Sequence, residues 1–235
     1  MNSLQRQFIQ AFIEDGRWKN YLDGLGISLL LTIGALVLGV LIGVLIAVVR
    51  TQYDQNPQGR NIAMRFVNGI CKIYTTVIRG TPMMVQLMIW GFVIFRSQRN
   101  LFPVAVLGLG LNSGAYVAEI IRSGIMSIDP GQMEAGRSLG LGYTQVMKSI
   151  IIPQAIKNIL PALGNEMITL FKDTSLVYVL GSIRDLTRVA NNIGARIYNY
   201  LVPLILAALM YLIIVMILTW LLGILERRLR RSDRT

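Results

Sequence analysis

The sequence has no histidine and only one cysteine, Cys71. The first absence excludes histidine-based triads, proton shuttles and metal sites. The second excludes an intrachain disulfide, a thiolate zinc site and an iron–sulfur cluster. Charge is scarce as well: 15% of residues are charged, against about 25% in an average soluble domain. Acidic residues are the scarcer sign, 12 against 23 basic ones. What is plentiful is apolar length. Of 235 residues 54% are hydrophobic, the mean hydropathy is +0.55, and the apolar residues are bunched into long runs. Such runs exclude a disordered chain and do not suit an ordinary soluble domain, which leaves a polytopic membrane protein.

The net charge of +11 could point to nucleic acid. However, no basic patch is interleaved with aromatics for base stacking, and the positive charges lie between apolar runs and at the C-terminus, as the positive-inside rule expects. Crossing ~30 Å of hydrocarbon takes about 20 apolar residues in a helix. Five spans are predicted, at 24–49, 68–95, 101–122, 159–181 and 197–225, the last bearing Tyr198, Tyr200 and Trp220 as interface anchors. An odd number places the termini on opposite sides. The arginine-rich tail (Arg227, Arg228, Arg230, Arg231, Arg234) makes the C-terminus cytoplasmic and the N-terminus external, with twelve basic residues inside and eight outside. The organisation is an interfacial N-terminal segment at 1–23, a transmembrane domain at 24–225 with a cytoplasmic loop at 127–158, and a basic tail at 226–235. No cleavable signal peptide is evident, because the first apolar run is longer than a signal's core.

Span four carries charges that a bilayer should not tolerate. On a straight helix Asn165, Glu166, Thr169, Lys172 and Asp173 share an arc of about 120°. A charge at mid-bilayer costs ~2.5–3.5 kcal/mol or more, so such residues face a bundle interior or a wet cavity. Two readings stand: a solute pathway, or a structural ion-pair network. Where span two meets the cytoplasmic side, Arg79-Gly80-Thr81-Pro82 predicts a kink, since Pro82 removes a backbone donor. Broken helices lie beside transport pathways, although a snorkelling arginine at a helix start would look the same. Gly39-x-x-x-Gly43 permits close helix approach.

The loop after span three is organised for docking. Asp129 can cap a helix with Pro130 at its first position, Glu134 lies where the helix dipole favours an anion, and Gly140 suits the stop. A short helix over 130–139 is predicted, with Gln132 and Arg137 as polar contacts, followed by a second from about Thr144 to Pro153. An elbow resting on the membrane surface is the alternative.

Glu134-Ala135-Gly136, then Gly140, then Ile150-Ile151-Ile152-Pro153 resembles the EAA motif of ABC importer permeases, with Gly136 in place of the second alanine. Gly114-Ala115-Tyr116-Val117-Ala118-Glu119-Ile120, Gly131-Gln132, Pro153-Gln154-Ala155 and Lys172-Asp173-Thr174-Ser175-Leu176 resemble the polar amino acid uptake subfamily, which includes histidine, arginine, lysine and glutamine systems. The resemblance implies an all-α, polytopic membrane helix bundle of about five transmembrane helices with a cytoplasmic coupling helix, of the ABC type I importer kind. It implies a dimer of membrane subunits in the bacterial plasma membrane, two cytoplasmic ATPase subunits that carry the ATP-Mg, and an extracytoplasmic amino-acid-binding protein. This chain would then be no enzyme and hold no cofactor or metal of its own. Gln132, Glu134, Ala135, Gly136, Gly140 and Pro153 would shape the ATPase coupling segment. Asn165, Glu166, Thr169, Lys172 and Asp173 would line the pathway or dimer interface. Glu166 suits an α-ammonium or a basic side chain, so a polar L-amino acid is expected, cationic by preference; neutral polar ones such as glutamine or cystine stay open, because every amino acid carries an α-ammonium at neutral pH. The rivals are a stand-alone secondary transporter using Glu166 and Asp173, and an intramembrane hydrolase using Ser175 with Lys172.

Overall fold

The computed structural model describes residues 3–55 and 60–231. Arg234 of the basic tail, and Met1 and Asn2 of the N-terminal segment, lie outside the described residues. Every regular element among the described residues is helical. In chain order the α-helices are α1 (Ser3–Phe8), α2 (Arg17–Gln55), α3 (Ile62–Gly80), α4 (Met83–Met88, extended by a π-helical turn Ile89–Ile94), α5 (Phe102–Met126), α6 (Pro130–Ser138), α7 (Tyr143–Val146), α8 (Ile152–Asp173, continued by a 3-10 segment Thr174–Leu180), α9 (Leu186–Arg196) and α10 (Leu201–Arg231).

Among the described residues three helices are long and apolar enough to cross a membrane: Gln5–Gln55, which takes in α2, then α5, and Leu201–Leu229 of α10. The pair Ile62–Gly80 and Met83–Ile94 makes a fourth if it counts as one broken span. At 22 residues α8 is long enough, but it carries Glu166, Lys172 and Asp173. The long helices present apolar side chains outward, as lipid-facing surfaces do. On α10, for example, Leu204, Ile205, Leu209, Leu212, Ile213, Met216 and Ile217 are all exposed.

Three boundaries differ from the sequence-based expectation. The 1–23 segment does not lie wholly apart from the first span, because α2 starts at Arg17, whose buried guanidinium reaches back to the Asp15 carboxylate (3.0 Å) and the Gln10 carbonyl. Span two is not one kinked helix over 68–95. Helix α3 ends at Gly80, Pro82 is extended (ψ 132°), and α4 begins afresh. Span four runs as α-helix only from 152 to 173, and α9, with its mixed polar and apolar sequence, precedes span five.

Contacts divide the chain into two compact units. The first comprises Met1–Val37, Thr81–Gly110 and Met167–Trp220. Its core joins Leu31, Ala35, Leu87, Ala105, Leu109, Leu170, Val177 and Leu180. A second cluster packs Tyr21 on Leu186, Val189, Ala190 and Ile193. There Gly24 lets α2 meet α9 closely, since a Cβ would lie 2.9 Å from Val189 Cγ2 and 3.1 Å from Leu186 Cα. The buried Asp185 caps α9, accepting from the Thr187 N–H (2.9 Å) and the Arg188 N–H (3.3 Å). Burial pushes its pKa up to about 6.

The second unit comprises Leu38–Gly80, Leu111–Glu166 and Leu221–Thr235. Here Gly39 and Gly43 bring α2 against α5. A Cβ on Gly43 would sit 2.5 Å from Val117 Cγ1 and 2.9 Å from the Ala118 nitrogen, and one on Gly39 would sit 3.0 Å from Ser113 Cβ. Between lipid-embedded helices this close van der Waals contact supplies attraction that the hydrophobic effect does not. Ile125, Val146, Ile151, Ala155 and Ile159 form the core beside α6 and α7.

Candidate functional site

The loop helix stands where the spacing predicts it. Asp129 Oδ1 accepts from the Gly131 N–H (2.8 Å), Pro130 occupies the first turn, and the helix closes at Ser138. Its end is a Schellman motif: Leu141 N–H donates to the Gly136 carbonyl (3.1 Å), Gly140 N–H to the Arg137 carbonyl (3.0 Å), and Gly140 holds φ +82°. Gly136 is buried against α7, with room for no Cβ: one would lie 2.7 Å from Val146 Cγ2. The glycine that replaces alanine in the motif therefore serves packing here. The cap at both ends and this contact make α6 and α7 one elbow, and Glu134, Gln132 and Ala135 lie on its exposed or half-buried surface. Pro153 opens the exposed first turn of α8. Behind α6 is a cavity of about 260 Å³ whose lining includes Asp54, Asp129 and Glu134 together with Gln55, Met126 and Met133.

On α8 the polar residues divide. Asn165, Thr169 and Lys172 are exposed along one stripe, whereas Glu166 and Asp173 are half-buried. The Glu166 carboxylate accepts from the hydroxyl of Ser113, a fully buried residue on α5, at 2.8 Å. That partner was not legible, because it comes from 53 residues away.

At the helix break Arg79 does more than snorkel. Its guanidinium lies over the Tyr116 ring (5.3 Å) and 4.0 Å from Glu119. Glu119, which the sequence offers only as one residue of the Gly114–Ile120 motif, is the centre of an ion cluster: Arg50 at 2.9 Å, Arg122 at 2.5 Å, and Asp54 on the far side of Arg122 at 3.1 Å. The Glu119/Arg122 spacing of three was the available signal. Beyond Gly80, the buried Gln86 donates to the Thr81 hydroxyl (2.8 Å) and carbonyl (3.1 Å), satisfying the chain where the helix is interrupted. Gln86 was also missed.

These sites combine a rigid exposed elbow, a charged stripe on a membrane helix and a broken helix. Residues 39–231 match the family described as "Binding-protein-dependent transport system inner membrane component". The chain is 41% identical to the arginine transport system permease protein of Bacillus subtilis (strain 168) over 215 residues, covering 90% of this chain and 93% of that one. It is 35% identical to the L-cystine transport system permease protein of the same organism, covering 93% and 90%. A crystal structure of an amino acid ABC transporter with histidines superposes with a TM-score of 0.81 at 42% identity, covering 89% of this chain and 94% of that one.

Proposed function

The chain belongs to the binding-protein-dependent transport system inner membrane component family, and on that premise we propose that it imports a polar, cationic L-amino acid, with Glu166 facing the solute. It is the membrane-spanning subunit of an ABC importer in the inner membrane, and ATP hydrolysis belongs to a separate subunit. The stand-alone transporter and hydrolase readings are set aside on the family alone.

The observation that carries the finer reading is the α6 elbow. It is a surface helix with both ends capped, a left-handed glycine stop and a buried glycine contact to α7. A lever must move without bending, and a segment closed at both ends and packed at its middle meets that need. In our reading two ATPase subunits grip α6 on each of two permease subunits. ATP closes the ATPase pair, the elbows move, and the spans shift between outward- and inward-facing arrangements, coupling the nucleotide site to the solute site. The N-terminus then lies outside and the C-terminus inside. Asn165, Thr169 and Lys172 line the pathway or meet the second permease subunit, and Glu166, steadied by Ser113, receives an ammonium or guanidinium by a charge-assisted hydrogen bond.

The arginine and L-cystine systems among the relatives keep neutral polar amino acids as the contrast for a test. The chain is reconstituted with its ATPase and binding protein, and uptake of arginine and glutamine is measured. Glu166→Gln should reduce arginine uptake more than glutamine uptake. Equal losses would remove the cationic preference, and uptake without any ATPase would remove the importer reading.

A further inference from the structure

We infer that the ion cluster around Glu119 is the joint through which the α6–α7 elbow acts on the end of α3, and that Arg79 is its exchangeable arm. The inference rests on the importer reading above and names the residues that would carry its motion.

The chain of contacts lies within one unit and is continuous. Tyr143 opens α7 just past the Gly140 turn, and its hydroxyl donates to Gln55 at the end of α2 (3.3 Å). The neighbouring Asp54 holds Arg122 (3.1 Å), Arg122 holds Glu119 (2.5 Å), and Glu119 faces Arg79 (4.0 Å) in the last turn of α3. Each link is side chain to side chain between different helices, except the step from Gln55 to Asp54 along the backbone of α2 and the i,i+3 pair on α5 that turns the path towards α3.

Two features distinguish a joint from a plain brace. First, the cluster is unequal. Arg50 and Arg122 bind Glu119 at hydrogen-bond distance, with side chains only 16% and 24% exposed, whereas Arg79 stands off at 4.0 Å and is 42% exposed. Arg79 can leave without stranding the carboxylate, because two guanidiniums stay. Second, Arg79 is not held by Glu119 alone, since in the same conformation its guanidinium lies over the Tyr116 ring at 5.3 Å. A guanidinium over an aromatic face is stabilised when water is scarce. The arm can therefore give up Glu119 and keep the ring, which is the asymmetry a moving element needs, while removing Arg122 would take from Asp54 its ion-pair partner.

The test uses the full complex of permease, ATPase and binding protein in proteoliposomes. It reads the ATP hydrolysed per amino acid imported alongside the complex's Tm. Asp54→Asn and Arg122→Gln should each raise that ratio about fivefold or more, the low end of typical couplings between sites, with Tm within a few degrees of wild type. Arg122→Lys, which keeps the charge but not the two-pronged fork, should recover part of the loss. The double variant should be no worse than the poorer single one, because both changes cut the same link. Arg79→Gln should also raise the ratio. A fall in Tm or complex yield with the ratio unchanged would reduce the cluster to a brace and overturn the inference. So would an unchanged ratio in assembled variants when Gly140→Val, placed in the elbow itself, raises it. If wild-type complex shows no hydrolysis stimulated by loaded binding protein, the importer reading itself fails.

Discussion

Replacing Gly140 separates backbone conformation from packing more cleanly than any other change in the elbow. Gly140 holds φ +82°, and a Cβ built on it would meet nothing within 4 Å. Any penalty must therefore come from the left-handed backbone alone, not from a clash. That penalty is about 1–2 kcal/mol for an ordinary L-residue, less for Asn and more for a β-branched one. A penalty of 1–2 kcal/mol lowers the population of the closed elbow about 5–30-fold. The ladder Gly140→Asn, Gly140→Ala and Gly140→Val should thus reduce uptake in that order of increasing severity, with the spans still inserted and basal ATP hydrolysis retained. The assay is amino acid uptake and ATP hydrolysis by the reconstituted complex, side by side. If Ala and Val behave like glycine, the Schellman end does not hold the lever. If Asn is as harmful as Val, something other than φ is at stake, and the reasoning fails.

Two further outcomes follow from the geometry. Gly136→Ala would set a Cβ 2.7 Å from Val146 Cγ2 and cost roughly 1–3 kcal/mol by overpacking; Val146→Ala in the same chain should restore uptake, and purely additive losses would show that the contact is not responsible. Asp185 titrates near pH 6 instead of 3.8, so the folded state holds the proton more tightly than the unfolded chain. The contribution of Asp185 to stability is then full below pH 4 and is lost as pH rises through 6, by up to about 3 kcal/mol. Asp185→Asn keeps the cap without the charge, and in detergent it should raise Tm at pH 8 and flatten the dependence from pH 5 to 8; a variant less stable at pH 8 would refute this.

What the sequence made legible was local. The cap at Asp129, Pro130 at the first helical position and the glycine stop lie within a dozen residues and obey rules that need no tertiary partner. The break at Pro82 is likewise dictated by a missing N–H, although a kink was expected where the helix stops outright. The apolar runs fixed the fold class, because length against hydrocarbon thickness is a one-dimensional test. What escaped was long-range or short and mixed. Ser113 beside Glu166 and Arg50 beside Glu119 join residues 53 and 69 apart. Helix α9, only 11 residues, was hidden because its apolar face serves a core contributed by α2 and α10 and its polar residues read as a loop. Asp185 ahead of Leu186-Thr187-Arg188 was its one visible sign.

The length of α10 has a consequence for reconstitution. From Leu201 to Leu225 it carries no charge, a run of about 37 Å at 1.5 Å per residue. This exceeds an average hydrocarbon core of about 30 Å, a mismatch relieved by tilting, local thickening of the bilayer, or choosing longer acyl chains. Lipid chain length is therefore a hidden variable in every rate measured on this protein, and vesicles of short-chain lipid would load the last helix with a strain that says nothing about coupling.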